Sequence, residues 1–216
     1  PGFEYKEDIG SGSLAAAAGG VTTLACMANT DPVNDNPSVT KYIIDKAKQF
    51  SGVRILPVGA VTKELKGKEL AEIGLMKEAG IVAVSDDGQP LEDSSILRRA
   101  LEYAATFNLP LISHCQDRSL SASGVMNEGA LSSELGLPGI PAAAEDIMVA
   151  RDILISKSTG IPIHITHIST RGSVEIIRQA KERGLDITCD VTPHHLLLTE
   201  EKVRTYDTNA KMYPPL

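Results

Sequence analysis

The chain has 216 residues, of which 42% are hydrophobic, and its formal net charge at pH 7 is −7. This length can bury a sizeable core, and the acidic balance with scattered basic residues disfavours binding to nucleic-acid phosphates. No run approaches the roughly 18 apolar residues that a membrane span needs. The chain has three cysteines, which are far apart in sequence: Cys26, Cys115 and Cys189. We therefore expect a reduced, cytoplasmic protein that contacts neither nucleic acid nor membrane.

Helix-like and strand-like segments alternate along the whole chain. Residues rich in Ala, or periodic in apolar residues, predict helices over 8–18, 36–50, 68–79, 93–107, 142–158 and 172–183. Short apolar or β-branched runs predict strands over 21–27, 53–58, 81–85, 109–113, 161–166 and 185–190. Residues 115–141, rich in Ser and Gly, predict a long functional loop or lid.

This alternation predicts an α/β fold with a parallel sheet and right-handed crossovers. A doubly wound sheet and a (β/α)8 barrel of the TIM type both satisfy it. We favour the barrel because functional side chains follow several strands, and because no Gly-x-Gly-x-x-Gly or phosphate-loop motif is present. About six βα units are present, so we expect a single barrel domain over residues 1–216 that is incomplete at both ends. The chain begins at Pro1 without Met, which indicates that it was cut from something longer.

Side chains that can bind a metal follow three of the predicted strands. Asp87 lies in the turn after the third strand, and His114 and His167 end two later apolar runs. The carboxyl ends of parallel strands are where such folds perform chemistry, and imidazole and carboxylate are the usual ligands of catalytic zinc. Asp86 competes with Asp87 for this role, since Gly88 allows the turn to aim one carboxylate inwards while the other caps the turn. We choose Asp87.

Other polar residues near strand ends have weaker assignments. Asn29 could bind a substrate carboxylate or amide, or form an Asx-turn before Pro32. His164 alternates with His167 on the strand, so we expect it to be structural. The adjacent His194 and His195 point to different sides, and we expect exposed or helix-capping roles for both.

Several stretches of the chain, in the same order and with the same spacing, resemble the bacterial type of dihydroorotase, a family of the metal-dependent amidohydrolase superfamily. They are Pro1-Gly2-Phe3-Glu4-Tyr5-Lys6-Glu7-Asp8, Gly19-Gly20-Val21-Thr22-Thr23, Met27-Ala28-Asn29-Thr30, Ser85-Asp86-Asp87-Gly88, Ser113-His114-Cys115-Gln116-Asp117, His164-Ile165-Thr166-His167-Ile168-Ser169-Thr170, Thr192-Pro193-His194-His195-Leu196-Leu197 and Pro214-Pro215-Leu216.

The resemblance implies a (β/α)8 barrel with one or two Zn²⁺ ions. It implies that His114 and His167 bind one zinc, that Asp87 binds or bridges the metals, and that Asn29 contacts the substrate carboxylate. The implied reaction is the reversible cyclisation of N-carbamoyl-L-aspartate to L-dihydroorotate in pyrimidine biosynthesis. Two alternatives stay open: a non-catalytic, dihydroorotase-like scaffold that partners aspartate transcarbamoylase, and a hydantoinase or allantoinase. A homo-oligomer is also compatible with the resemblance.

The sequence departs from the family pattern at three places. The His-x-His pair and the Arg that follows it in the family would lie before Pro1. The aspartate that acts as general acid and base would lie after Leu216, so no catalytic residue is assigned within this chain, and we expect the chain alone to be catalytically incomplete. Tyr213 stands before Pro-Pro-Leu, where the family usually has Asn.

Overall fold

The computed structural model describes residues 1–50 and 52–216. These residues divide into two compact units, Pro1–Ile112 and Ser113–Leu216. In the described part of the chain, no helix combines the length and apolar character needed to cross a bilayer. The single domain expected from the sequence stays a prediction.

The first unit is built on four parallel strands with four helices between or before them. Its strands are β1 (Thr23–Cys26), β2 (Arg54–Gly59), β3 (Ala83–Ser85) and β4 (Leu111–Ser113), of which β4 ends on the first residue of the second unit. Its helices are α1 (Ile9–Ala18), α2 (Pro37–Ala47), α3 (Ile73–Ala79) and α4 (Ser94–Thr106), and a 3₁₀ turn spans Lys63–Leu65. The strands pair in the order β1-β2-β3-β4.

Local sequence explains where these helices begin. Asp8, Asn36 and Asp93 precede α1, α2 and α4, and each carboxylate or amide oxygen accepts hydrogen bonds from backbone N–H groups of the first turn. Such caps satisfy donors that have no partner inside the helix. The helices bury aliphatic side chains, among them Met76 and Leu97, both 0% exposed. Burial of a side chain of this size contributes about 1.5–3 kcal/mol to stability.

The second unit contains two strands of the predicted pattern and several short elements. Its strands are β5 (Met126–Asn127), β6 (Gly139–Ile140), β7 (Ile163–Ile165) and β8 (Ile187–Cys189). Its helices are α5 (Arg118–Ser121), α6 (Ala130–Leu135), α7 (Ala143–Thr159), α8 (Arg171–Glu182) and α9 (Pro193–Leu197), followed by 3₁₀ turns at Glu200–Thr205 and Thr208–Ala210. Strand β7 pairs in parallel with β8, and β5 pairs in parallel with β6.

A buried carboxylate stabilises the packing of α7 in this unit. Asp152 is fully buried, and its Oδ2 accepts a hydrogen bond of 2.5 Å from Ser113 Oγ. Arg151 lies 2.7 Å from Asp152 Oδ1. Burial raises the pKa of Asp152 above its ordinary value, although the positive charge of Arg151 and the Ser113 hydroxyl oppose the shift.

All six strands predicted from the sequence are present, each within its predicted segment or extending one residue beyond it. Two other predictions were wrong. Helix α3 starts at Ile73 instead of residue 68, because Leu70 forms a bridge to Thr62 that holds this segment extended. Residues 115–141 are not one irregular loop, since they contain α5, β5, α6 and β6. Elements of two to six residues are too short to give a periodic pattern in the sequence.

Candidate metal centre and adjoining cavity

Two histidines of the second unit face each other at the ends of strands. His114 directly follows β4, and His167 lies two residues after β7, where Thr166 N–H donates to the carbonyl of Ser113 over 3.1 Å. His114 Nδ1 lies 2.8 Å from His167 Nε2, and the two rings meet at an interplanar angle of 78°. His114 is buried and His167 half-buried. Two imidazole nitrogens therefore converge on one point.

The far side of the His114 ring is hydrogen-bonded to an amide. His114 Nε2 lies 3.1 Å from Gln116 Oε1, and Gln116 Nε2 donates to the hydroxyl of Tyr213 over 2.5 Å. An amide oxygen only accepts, so His114 Nε2 carries the proton in this arrangement. Its Nδ1 lone pair is then left on the side of His167.

A carboxylate from the end of β8 fixes the backbone that carries His167. Asp190 accepts hydrogen bonds from His167 N–H (2.6 Å), from Thr166 Oγ1 (3.0 Å) and from His164 Nε2 (2.8 Å). Burial raises the pKa of Asp190, but the bonds from His164, His167 and Thr166 outweigh it and hold that pKa below its ordinary value. His164 therefore has the structural role that the sequence predicts.

Glu145, in the first turn of α7, holds the residues that follow His167. This side chain is 7% exposed, and its two oxygens accept hydrogen bonds from the backbone N–H groups and hydroxyls of Ser169 and Thr170, over 2.5–3.2 Å. The neighbouring Asp146 accepts from Thr170 Oγ1 (2.5 Å) and Ser173 Oγ (3.1 Å). The loop after β7 is thus fixed from two sides, by Asp190 and by Glu145.

The two histidines line a cavity of about 350 Å³ that lies within the second unit. Its wall also includes His195, whose Nε2 lies 3.1 Å from the carbonyl of Pro214 and whose Nδ1 lies 2.5 Å from Thr192 Oγ1. His195 is half-buried and not exposed, whereas its contact with Thr192, the residue that caps α9, agrees with the capping role expected from the sequence. Its contacts with the carbonyls of Pro214 and Pro215 are made about twenty positions later, and nothing in the neighbouring sequence predicts them. His194 is half-buried beside His195.

The first unit shows what the two aspartates after β3 do. Asp86 is 3% exposed, and its carboxylate accepts hydrogen bonds from Val61 N–H (2.7 Å), from Thr62 N–H (3.1 Å) and from the Thr62 hydroxyl. Burial raises the pKa of Asp86 to about 6, against the hydrogen bonds from Thr62 and Val61. Asp86 is therefore the structural member of the pair, and Gly88 completes the turn with a φ of +76°.

Asp87 is half-buried, and its Oδ2 accepts a hydrogen bond of 3.4 Å from Asn29 Nδ2. Asn29 follows β1, so the strand ends of the first unit bring together a carboxylate and an amide that lie 58 residues apart in sequence. The fold thus unites Asn29 with Asp87, and separately His114 with His167.

The donor set of the histidine pair fits a metal ion. Neutral imidazole nitrogens are common zinc ligands, and metal-bound histidines usually donate their other ring N–H to an oxygen. His114 meets both conditions, with Nδ1 directed to His167 and Nε2 bonded to Gln116.

Comparison with solved structures defines the class of fold. The chain matches the L-hydantoinase (dihydropyrimidinase) from Arthrobacter aurescens with a TM-score of 0.75 and 23% identity, over 94% of this chain and 46% of that one. It matches a D-hydantoinase with a TM-score of 0.74 and 20% identity, over 98% of this chain and 48% of that one. The predicted fold class, an α/β barrel with part of its βα units present, is confirmed.

Sequence comparison then identifies the family. The family model described as dihydro-orotase-like matches residues 1–173, and the chain belongs to this family. It is 57% identical over all 216 residues to the dihydroorotase of Acetivibrio thermocellus, and 58% identical to that of Syntrophotalea carbinolica. Each match covers 51% of the relative, so the chain spans about half the length of these curated proteins. The resemblance stated from the sequence motifs is confirmed.

Proposed function

We propose that the chain is part of a zinc-dependent dihydroorotase, which interconverts N-carbamoyl-L-aspartate and L-dihydroorotate in pyrimidine biosynthesis. The observation that carries this proposal is the convergence of His114 Nδ1 and His167 Nε2 on the wall of a cavity. Membership of the dihydro-orotase-like family supports the substrate class. We place the enzyme in the cytoplasm, in keeping with its three free cysteines.

Asp87 is proposed as the third metal ligand. The family resemblance assigns it this role, and Asp87 follows strand β3 by two residues. Asp86 is already engaged with Val61 and Thr62, which leaves Asp87 as the carboxylate for a metal.

Zinc held by these residues would act as a Lewis acid on an amide carbonyl and lower the pKa of a coordinated water to ~7. The residues of this chain supply binding and orientation. His114 and His167 would bind the ion through Nδ1 and Nε2, Asp87 would add negative charge, and Asn29 would offer an amide N–H to a substrate carboxylate. We propose that the general acid and base lies outside these 216 residues, as the family resemblance implies. The cavity of about 350 Å³ is large enough for a small cyclic amide.

The test uses the protein expressed from its complete reading frame, with Zn²⁺ and N-carbamoyl-L-aspartate. We expect turnover that falls about 100-fold or more in Asp87→Asn, because a metal ligand is weakened. Asp186→Asn is the matched control, since Asp186 is exposed. Turnover in the parent no higher than in Asp87→Asn would end the proposal.

The same preparation separates the alternatives. Less than one zinc per chain together with no turnover would favour the non-catalytic scaffold that partners aspartate transcarbamoylase. Faster turnover of hydantoin or allantoin than of dihydroorotate would favour the other cyclic amidohydrolases. Gel filtration of the unsubstituted protein, expressed from its complete reading frame, tests for a homo-oligomer.

A further inference from the structure

Gln116 connects a candidate metal ligand to a residue at which the sequence departs from its family. Its amide oxygen accepts from His114 Nε2 (3.1 Å), and its amide nitrogen donates to Tyr213 Oη (2.5 Å). Both the oxygen and the nitrogen of this half-buried amide are therefore hydrogen-bonded, one to a residue before Gln116 in the sequence and the other to a residue after it. Tyr213 stands before Pro-Pro-Leu, where the family resemblance leads us to expect Asn.

We propose that Gln116 is a positioning residue that holds His114 in the tautomer whose Nδ1 carries the lone pair, and that the Tyr213 hydroxyl orients Gln116 for this task. The inference rests on the proposed function in so far as His114 is a zinc ligand. It assigns no contact with the substrate to either residue. It also gives a physical reason for a tyrosine at position 213.

The orientation of the amide decides which nitrogen of His114 carries the proton. With Oε1 towards the ring, His114 Nε2 must donate, and the lone pair lies on Nδ1, which faces His167 Nε2 over 2.8 Å. If the amide were turned over, its NH₂ group would face His114 Nε2 and require a lone pair there. The proton would then move to Nδ1, and the atom that faces His167 would no longer be a metal ligand.

The Tyr213 hydroxyl favours the first orientation because it accepts from the amide NH₂ in the observed arrangement. Outer groups of this kind, which orient a metal-binding histidine, affect metal affinity by about 10–100-fold when removed.

The first measurement is the tautomer of His114, by ¹⁵N NMR of the histidine rings in zinc-free protein from the complete reading frame. We expect the Nε2–H form of His114 in the parent and in Gln116→Glu, whose carboxylate also accepts. In Gln116→Met, which has a similar volume and no acceptor, we expect a mixture of both forms. Because no metal is present, this readout tests the inference even if the proposed activity fails.

The second measurement is zinc affinity by competition with a chromogenic chelator. We expect a loss of about 10–100-fold in Gln116→Met and little loss in Gln116→Glu. Tyr213→Phe should lower the zinc affinity about 2–10-fold, which corresponds to one hydrogen bond. In the Gln116→Glu background the same substitution should have little effect, because a carboxylate has no amide group to orient. Gln179→Met is the control, because Gln179 is exposed on α8 and bonds only Glu175 among the described contacts.

An unchanged His114 tautomer together with parental zinc affinity in Gln116→Met would overturn the inference. The inference would also be overturned if Tyr213→Phe lowered the zinc affinity equally in the otherwise unchanged protein and in the Gln116→Glu variant. If Gln116→Met does not fold, Tyr213→Phe and the double variant decide the question. A parent that binds no zinc contradicts the proposed function, whereas the tautomers still decide the role of Gln116.

Discussion

His114 and His167 are 53 residues apart in sequence, and their facing nitrogens lie 2.8 Å apart. Their backbones are joined by a hydrogen bond from Thr166 N–H to Ser113 O, so the sheet itself determines this approach. Substitution of either ring should therefore remove metal binding without removing the strand pairing.

We expect zinc to stabilise the parent protein by way of this histidine pair. A ligand that binds only the folded state at 100 times its Kd adds about 2.7 kcal/mol to the free energy of unfolding. A chelator should therefore lower the thermal unfolding midpoint of the parent, but not that of His167→Gln. His194→Gln, outside the cavity wall, should respond as the parent does. Equal responses of the parent and His167→Gln would contradict the assignment.

Asp86 should be important for stability and not for metal binding. Asp86→Ala leaves two backbone N–H groups and the Thr62 hydroxyl without their acceptor. Buried donors that lose a charged acceptor cost about 3 kcal/mol. Urea unfolding at pH 7.5 should show this loss, whereas exposed Asp186→Ala should change stability by less than about 0.5 kcal/mol. Stability equal to that of Asp186→Ala would show that Asp86 is not structural.

Asp152 should make stability depend on pH. Its pKa is raised in the folded state, so the folded protein binds more protons than the unfolded chain above the ordinary value of 3.8. Its contribution to stability therefore falls as pH rises through that window, and levels off above the folded pKa. Compared with Asp152→Asn, the unsubstituted protein should lose stability as the pH rises from about 4 to the pKa of Asp152 in the folded state. Urea titrations at several pH values test this, and parallel curves for the two proteins would refute it.

Gly172, in the first turn of α8, should resist substitution by alanine. A Cβ at this position would overlap the carboxylate of Asp146, which accepts from Thr170 and Ser173. Gly172→Ala should therefore destabilise the protein by about 1–3 kcal/mol, although alanine favours helices.

In an Asp146→Ala background the overlap is gone, and Gly172→Ala should be neutral or stabilising by up to about 1 kcal/mol. Chemical denaturation of the four proteins gives the coupling between the two positions. Additive effects would show that the carboxylate is not the obstacle.

The sequence predicts the strands and the histidine pair because both depend on local pattern. Apolar runs that end in His114 and His167 place these residues at strand ends, where parallel strands bring them together. The strand boundaries are less well predicted. Ile81 and Leu109 are buried at 2% and 5% exposure, but they lie before the paired residues of β3 and β4, so their apolar character overstates the length of both strands.

The supporting residues could not be predicted in the same way. Asp190 and Glu145 act through hydrogen bonds to residues 23–26 positions away, and His195 contacts carbonyls 19–20 positions away. Nothing in their neighbouring sequence distinguishes them from surface carboxylates or capping histidines. Their roles follow from tertiary structure alone.

The cavity wall of the second unit has a consequence for how its selectivity can change. Asn127 donates to Glu200 over 2.7 Å, and Arg204 pairs with Glu134 over 2.6 Å, so two connecting segments are tied together beside the histidine pair. Neither segment belongs to β4 or β7. Substitutions within these segments can therefore change the shape of the cavity without moving His114 and His167. In a metal-dependent enzyme of the proposed kind, ligand preference could then change while metal binding is kept.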